Sequence, residues 1–258
     1  MTSLAVALVL TLEGPRAGAV DGFRAPSDES RPVTSAETRF HSWLDDSLAV
    51  VAWPLSLGRK SLLPVAAIGV GFLLFGHDVA LYRSFDRKVR WTFRGRSVFD
   101  FTAILGDGLF DLAVVGAFAV GDERARRTSI EGVEALVSVA ATSFLAKRIF
   151  RVARPSHDPD HKSYFGRFSH DAFPSGHAMS AFATASVLAT EYPWVAPYAY
   201  GAATLTGLSV MKRRWHWLSD VIVGSALGII IGQTSIAVNA RRLSVAPIED
   251  GVAVRTSL

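Results

Sequence analysis

VIVGSALGIIIGQTSIAVNA, Val221–Ala240, and PWVAPYAYGAATLTGLSVM, Pro193–Met211, contain no charged residue. Each is close to the roughly 20 residues that an α-helix needs to cross about 30 Å of hydrocarbon, so both are predicted to span a membrane. Outward from them, Ser61–Gly76, Phe101–Gly121, Ser129–Ala146 and Ala178–Thr190 are apolar and lack strict alternation, which favours helices over strands. These four are shorter or carry acids, among them Asp107 and Asp111. Any one alone could be a buried helix of a soluble protein. Together with the two uncharged stretches they predict an all-α fold, a bundle of about six apolar, membrane-spanning helices. A further stretch, Leu48–Leu57, is interrupted by Pro54 and reads as an interfacial segment.

The bulk numbers agree with that reading. Of 258 residues, 50% are apolar and 19% charged, and the mean hydropathy is +0.28, too apolar for disorder. The absence of cysteine excludes disulfides and thiolate metal sites. A formal charge of +4 suits phosphates, acidic lipid or nucleic acid alike. No recognition-helix or aromatic-sheet pattern accompanies the basic residues, so nucleic acid is not an expected partner. Leu4–Leu12 followed by Ala17-Gly18-Ala19 has the look of a secretory signal ending at residue 19, although no basic residue precedes Arg16. Residues 20–60 read as a polar leader with the interfacial segment, 61–242 as one helical domain, and 243–258 as a polar tail.

Three constellations between residues 147 and 220 carry candidate chemistry, and five of the seven histidines lie between His157 and His216. KRIFRVARP, Lys147–Pro155, sets Lys147 and Arg154 seven apart, so that on a helix both would face one way, as two fixed cations for a phosphate. A plainer alternative is a basic helix end that complements the macrodipole at a membrane surface. Pro174-Ser175-Gly176-His177 precedes an apolar helix; there Ser175 and Gly176 would offer a hydroxyl and backbone N–H groups to an anion, with His177 beside it. An ordinary serine cap with an incidental histidine would also account for it. SVMKRRWHWLSD, Ser209–Asp220, puts His216 four before Asp220, within reach for a carboxylate to orient an imidazole that acts as nucleophile or base. A polar hairpin tip with an acid favoured by the helix dipole is the alternative.

In order and placement these constellations resemble the type 2 phosphatidic acid phosphatase superfamily, which also includes vanadium haloperoxidases and bacterial acid phosphatases. Its pattern is K-x-x-x-x-x-x-R-P, then P-S-G-H, then S-R-x-x-x-x-x-H-x-x-x-D. Lys147, Arg154 and Pro155 match the first, Pro174–His177 the second, and Ser209, His216 and Asp220 the third; Val210 stands where the pattern has arginine. The resemblance covers at least residues 100–232. It implies a phosphatase in which His216 attacks phosphorus to give a phosphohistidine, Asp220 holds His216, and His177 protonates the leaving oxygen and then activates water. Lys147, Arg154, Ser175 and the Gly176 backbone would bind the phosphate oxygens. No metal or other cofactor is implied, and no cluster with metal-ligand spacing appears in the sequence.

A phosphate site at the mouth of apolar helices suits a lipid phosphate such as phosphatidate or an isoprenoid diphosphate. The loop His157–Phe173, with Tyr164, Phe165, Phe168 and His170, is expected to shape access. Six basic residues between Arg83 and Arg96 would make the site's face cytoplasmic by the positive-inside rule. Bacterial members of the resembled family commonly face outward, and the expectation here is an extracytoplasmic, periplasmic site. Alternatives are a soluble exported acid phosphatase of the same superfamily, a haloperoxidase holding vanadate, and a non-catalytic membrane protein that binds phospholipid head groups, the last favoured by Val210.

Overall fold

The structure, a computed structural model, describes residues 62–88, 92–93, 96–97, 99, 102–157, 159–160, 162–167, 170–248 and 251–254. The expected signal, leader and interfacial segment of residues 1–60 lie outside them, as does Phe168.

The described chain is a helical bundle. Helix α1 (Leu62–Leu74) runs through a 3-10 turn at Phe75–His77 into α2 (Asp78–Lys88). After a small hairpin of β1 (Thr92–Phe93) and β2 (Arg96–Ser97), a 3-10 turn at Ala103–Gly106 leads to α3 (Gly108–Ala117) and a further turn at Phe118–Val120. Next come α4 (Glu123–Phe150), α5 (Gly176–Glu191), a 3-10 turn at Pro193–Val195, α6 (Ala196–Lys212) and α7 (Leu218–Ser244). The tail pairs β3 (Val245–Ile248) with β4 (Gly251–Val254) as an antiparallel hairpin.

Short acids and hydroxyls set the helix starts. Asp107 accepts from Leu109 N (2.9 Å) and divides the expected Phe101–Gly121 helix, from residue 102 on, into a 3-10 turn and α3. Asp122 accepts from Ala125 N (2.8 Å) to start α4, and Ser175 accepts from Ala178 N (3.3 Å) to start α5.

Among the described residues, three helical stretches are long and apolar enough to cross a membrane: Leu62–Arg87, Glu123–Phe150 and Leu218–Ala240. Leu218–Ala240 contains the uncharged Val221–Ala240 stretch, as expected, whereas the other two were not singled out by absence of charge. The expected Pro193–Met211 span divides into the 3-10 turn and α6, whose 17 residues rise about 25 Å and by themselves fall short of the hydrocarbon. Charge counts penalise α1–α2 and α4, whose acids and bases lie mostly towards their ends. Only 17% of the apolar window of Leu62–Arg87 is buried, against 72% for Leu218–Ala240. Leu62, Leu63, Phe72, Leu73, Phe144 and Ile149 are exposed, an apolar outer surface suited to lipid.

Helix α5 is the axis of the bundle, with Ala178, Met179, Ala183, Ala185 and Val187 all buried. It packs most closely on α7, where Gly224, Gly228 and Gly232 recur every four residues against its backbone. A Cβ at Gly228 would lie 2.3 Å from Met179 O, so only glycine permits this approach. At the far end of α5, buried Glu191 lies 3.7 Å from Arg124 and 3.6 Å from Arg127 of α4. The near end gathers the C-termini of α4 and α6 and the N-termini of α5 and α7, with the break between α1 and α2 beside them. All the motif residues are there.

Candidate active site

Helix α4 stops at Phe150 because Arg151 adopts a left-handed conformation (φ 42°, ψ 56°) and returns its N–H to Lys147 O. Arg154 therefore lies beyond the helix, which corrects the expectation that it shares a helix face with Lys147. Asp171 brings the two cations together instead. Arg154 Nε and Nη2 donate to its Oδ1 and Oδ2 at 2.7 and 2.8 Å, and Lys147 Nζ donates to its backbone oxygen at 2.7 Å. Burial pushes the Asp171 carboxyl up, but the Arg154 guanidinium, with Lys147 beyond it, holds it below the usual carboxylate range.

The strand of chain that carries Asp171 continues through Ala172 and Phe173 into the Ser175 cap. Ala172 N donates to Val152 O and Ser175 N to Asp220 O, which ties this strand to both the end of α4 and the start of α7. Ser175 is fully buried, and a Cβ on Gly176 would come 3.2 Å from Ser143 Oγ of α4. The start of α5 thus presents its backbone without a side chain at residue 176, as close approach of an anion requires.

His216 lies in the turn between α6 and α7, 1% exposed. Its Nδ1 is 2.7 Å from Ala172 O, a carbonyl that can only accept, so the ring carries its proton on Nδ1. Nε2 is left buried, with no hydrogen-bond partner among the described residues and its lone pair available. The expected hydrogen bond to Asp220 is taken by this carbonyl instead. Asp220 Oδ2 is 3.7 Å from His216 Nδ1, near enough to act through charge, and accepts instead from Trp217 N at 2.8 Å. The reason is local: with α7 starting at Leu218, the carboxylate serves the helix start before it can reach the ring. Burial lowers the His216 pKa, against the pull of Asp220.

His177, in the first turn of α5, has its ring centroid 6.2 Å from that of His216 and 5.3 Å from that of Trp215. Burial, then the charges of His216 and Lys147, lower its pKa from 6.5 to about 4. Val210 is wholly buried with Ala178, Met211 and Val221, so no cation occupies the position where the resembled pattern has arginine. Two of the neighbouring bases are held elsewhere, Lys212 Nζ by Asp86 Oδ1 at 2.8 Å and Arg214 at 3.6 Å from Asp86 Oδ2, while Arg213 lies over the Trp215 ring at 4.2 Å. Ser209 is buried and shares a hydrogen bond with Thr102.

Residues 131–243, which hold all three constellations, match the family model described as the PAP2 superfamily. Over 81 residues it is 40% identical to a lipid A 1-phosphatase of Porphyromonas gingivalis, an alignment covering 28% of this chain and 18% of that protein. The chain thus matches less than a fifth of the length of that curated relative. A crystal structure of Aquifex aeolicus LpxE is similar over 62% of this chain and 95% of that one, at 22% identity and a TM-score of 0.48. With its apolar helices, the chain is a helical membrane protein that is similar to the PAP2 superfamily over residues 131–243.

The sequence did not point to Asp78, Lys162, Asp171 or the Ala172 carbonyl. Asp78 follows an apolar stretch, where a buried acid is a functional signal in principle. Lys162 is one base in a polar loop, and only the fold reveals that its ammonium is buried against Asp78 and Asp220.

Proposed function

We propose that this chain is a PAP2-superfamily enzyme, a multi-pass membrane phosphatase that hydrolyses a phosphate monoester or diphosphate of a lipid through a phosphohistidine on His216. The observation that carries the reading is the His216 ring: Nδ1 is fixed as a donor by Ala172 O, Nε2 is buried without a partner among the described residues, and the ring lies 6.2 Å from that of His177 at the start of α5.

Nε2 attacks phosphorus as the bond to the leaving oxygen breaks, and that oxygen takes a proton from His177. The His216 ring keeps its Nδ1 proton and carries the positive charge of the phosphoimidazolium. Water then gives a proton to His177 and attacks phosphorus; the P–N electron pair returns to Nε2, and phosphate leaves. His177 is neutral at rest, its pKa near 4. A phosphate dianion beside it favours imidazolium, so substrate binding would arm the acid. Lys147, Arg154, Ser175 and the Gly176 backbone bind the nonbridging oxygens, which supplies the charge stabilisation that phosphoryl transfer needs without a metal.

A lipid substrate is supported by the position of the site at the end of apolar helices and by the exposed apolar surface beside it. The lipid A 1-phosphatase alignment adds to this. On the family precedent the site faces the extracytoplasmic side. Val210 keeps a second reading open, a head-group-binding protein without turnover. The deciding experiment is release of phosphate from phosphatidate in detergent micelles with chelator present, for the native chain and His216→Ala. Turnover by the native chain alone supports the proposal. Equal rates remove it, and activity abolished by chelator and recovered with Mg²⁺ removes the metal-free mechanism.

A further inference from the structure

Behind His216 lies a buried ionic array that the mechanism above does not use. Lys162 Nζ donates to Asp78 Oδ2 at 2.6 Å, Ser219 Oγ at 2.6 Å and Asp220 Oδ1 at 3.1 Å. The lysine side chain is 3% exposed and both carboxylates are fully buried. Ser219 N and Oγ both donate to Asp78, at 3.0 Å for N, so Asp78 also fixes the start of α7. The ammonium rests 4.3 Å above the Phe75 ring, and Tyr164 from the same loop donates to Phe75 O at 3.2 Å. Three parts of the chain meet here: the α1–α2 break, the 151–172 loop and the first turn of α7.

Burying three charges is costly, and replacing such a group with apolar side chains is often neutral or stabilising. Stability therefore gives little reason for the array. Its other oxygen gives a better one, because Asp220 Oδ2 lies 3.7 Å from His216 Nδ1. When charged, Asp78, Asp220 and Lys162 sum to −1. A net single negative charge is what would oppose the single positive charge that His216 acquires when Nε2 bonds to phosphorus.

Resting on the phosphatase reading above, we propose that Lys162 is a positioning residue for the nucleophile, holding Asp220 and, with Asp78, setting the charge behind His216 at the value that phosphorylation of the ring requires. Lys162 does not touch substrate. Its removal should slow the chemical step and leave phosphate binding nearly unchanged. Losing the ammonium takes the sum to −2, losing the Asp78 charge takes it to 0, and losing both restores −1.

The test uses the full chain in detergent, with p-nitrophenyl phosphate as substrate and inorganic phosphate as inhibitor, in Lys162→Met, Asp78→Asn, the double variant and His216→Ala. Expected are a kcat lowered roughly 30-fold or more in Lys162→Met, a phosphate inhibition constant within about threefold of the native value, and recovery of about tenfold or more in the double variant. A double variant no faster than Lys162→Met overturns the proposal, as does phosphate inhibition weakened about tenfold or more while kcat holds, which would make Lys162 a substrate contact. If Lys162→Met does not fold, a double variant below about a tenth of the native kcat overturns it equally. Native-like turnover in Lys162→Met with His216→Ala inactive sinks this inference alone; a native chain no faster than His216→Ala sinks the phosphatase reading and this with it.

Discussion

Asp171 grips Arg154 with two nearly parallel hydrogen bonds, 2.7 Å from Nε and 2.8 Å from Nη2, and its backbone oxygen holds Lys147. A guanidinium has five N–H donors, so this grip leaves the Nη1 edge for a phosphate. The carboxylate that looks like a competitor for the cation is better placed to aim it.

Asp171→Asn should therefore lower kcat/KM for a phosphate ester by about tenfold, and Arg154→Lys, which cannot serve two partners from a planar fork, by roughly 100-fold. Steady-state kinetics on the purified chain read both. A rise in kcat/KM for Asp171→Asn would show that the carboxylate blocks the cation instead.

The two histidines set the response to acid. Both have pKa values lowered by burial, His177 to about 4, so both are neutral near pH 7. Attack needs neutral His216, so the acid limb of kcat/KM should lie below pH 6.5, the usual imidazole value. For folding, the unfolded chain binds more protons than the folded one between about pH 4 and pH 6.5. Stability is thus complete above pH 6.5 and falls as pH drops through that window. Thermal unfolding in detergent from pH 4.5 to 8 should show it, with a shallower loss in His177→Gln. A midpoint that rises on acidification would contradict the buried, neutral state of these rings.

The α5–α7 contact gives a test of packing alone. Gly228→Ala places a methyl group 2.3 Å from Met179 O and should cost about 1–3 kcal/mol, whereas Gly69→Ala in α1 meets nothing within 4 Å and should be nearly neutral or mildly stabilising. Equal unfolding midpoints for the two variants would show that the helices do not pack this closely.

What the sequence revealed follows from how far apart the interacting residues lie. Helices α4 to α7 and the Ser175 cap depend on neighbours a few residues away, so apolar runs and cap residues made them legible. The Ser209, His216, Asp220 spacing was legible for the same reason, as was the departure at Val210. The roles inside the site were not. The partner of His216 Nδ1 is a carbonyl 44 positions away, Asp171 reaches Arg154 across 17, and Lys162 reaches Asp78 across 84. Spacing correctly put Asp220 beside His216, yet could not show that the start of α7 would take its nearer oxygen. Charge counting likewise favoured the uncharged Pro193–Met211 stretch over Leu62–Arg87, whose charges, Asp78, Arg83, Asp86 and Arg87, all lie in its second half.

The central claim is that His216 becomes covalently phosphorylated, and trapping the phosphoenzyme tests it most directly. In His177→Ala with p-nitrophenyl phosphate, the leaving group needs no acid while the water-attack step lacks its base, so label from ³²P-substrate should accumulate on the protein. That label should be acid-labile and base-stable, map to the peptide holding His216, and be absent from His216→Ala. Label on a serine, or turnover with no labelled protein in rapidly quenched single-turnover reactions, would contradict the account.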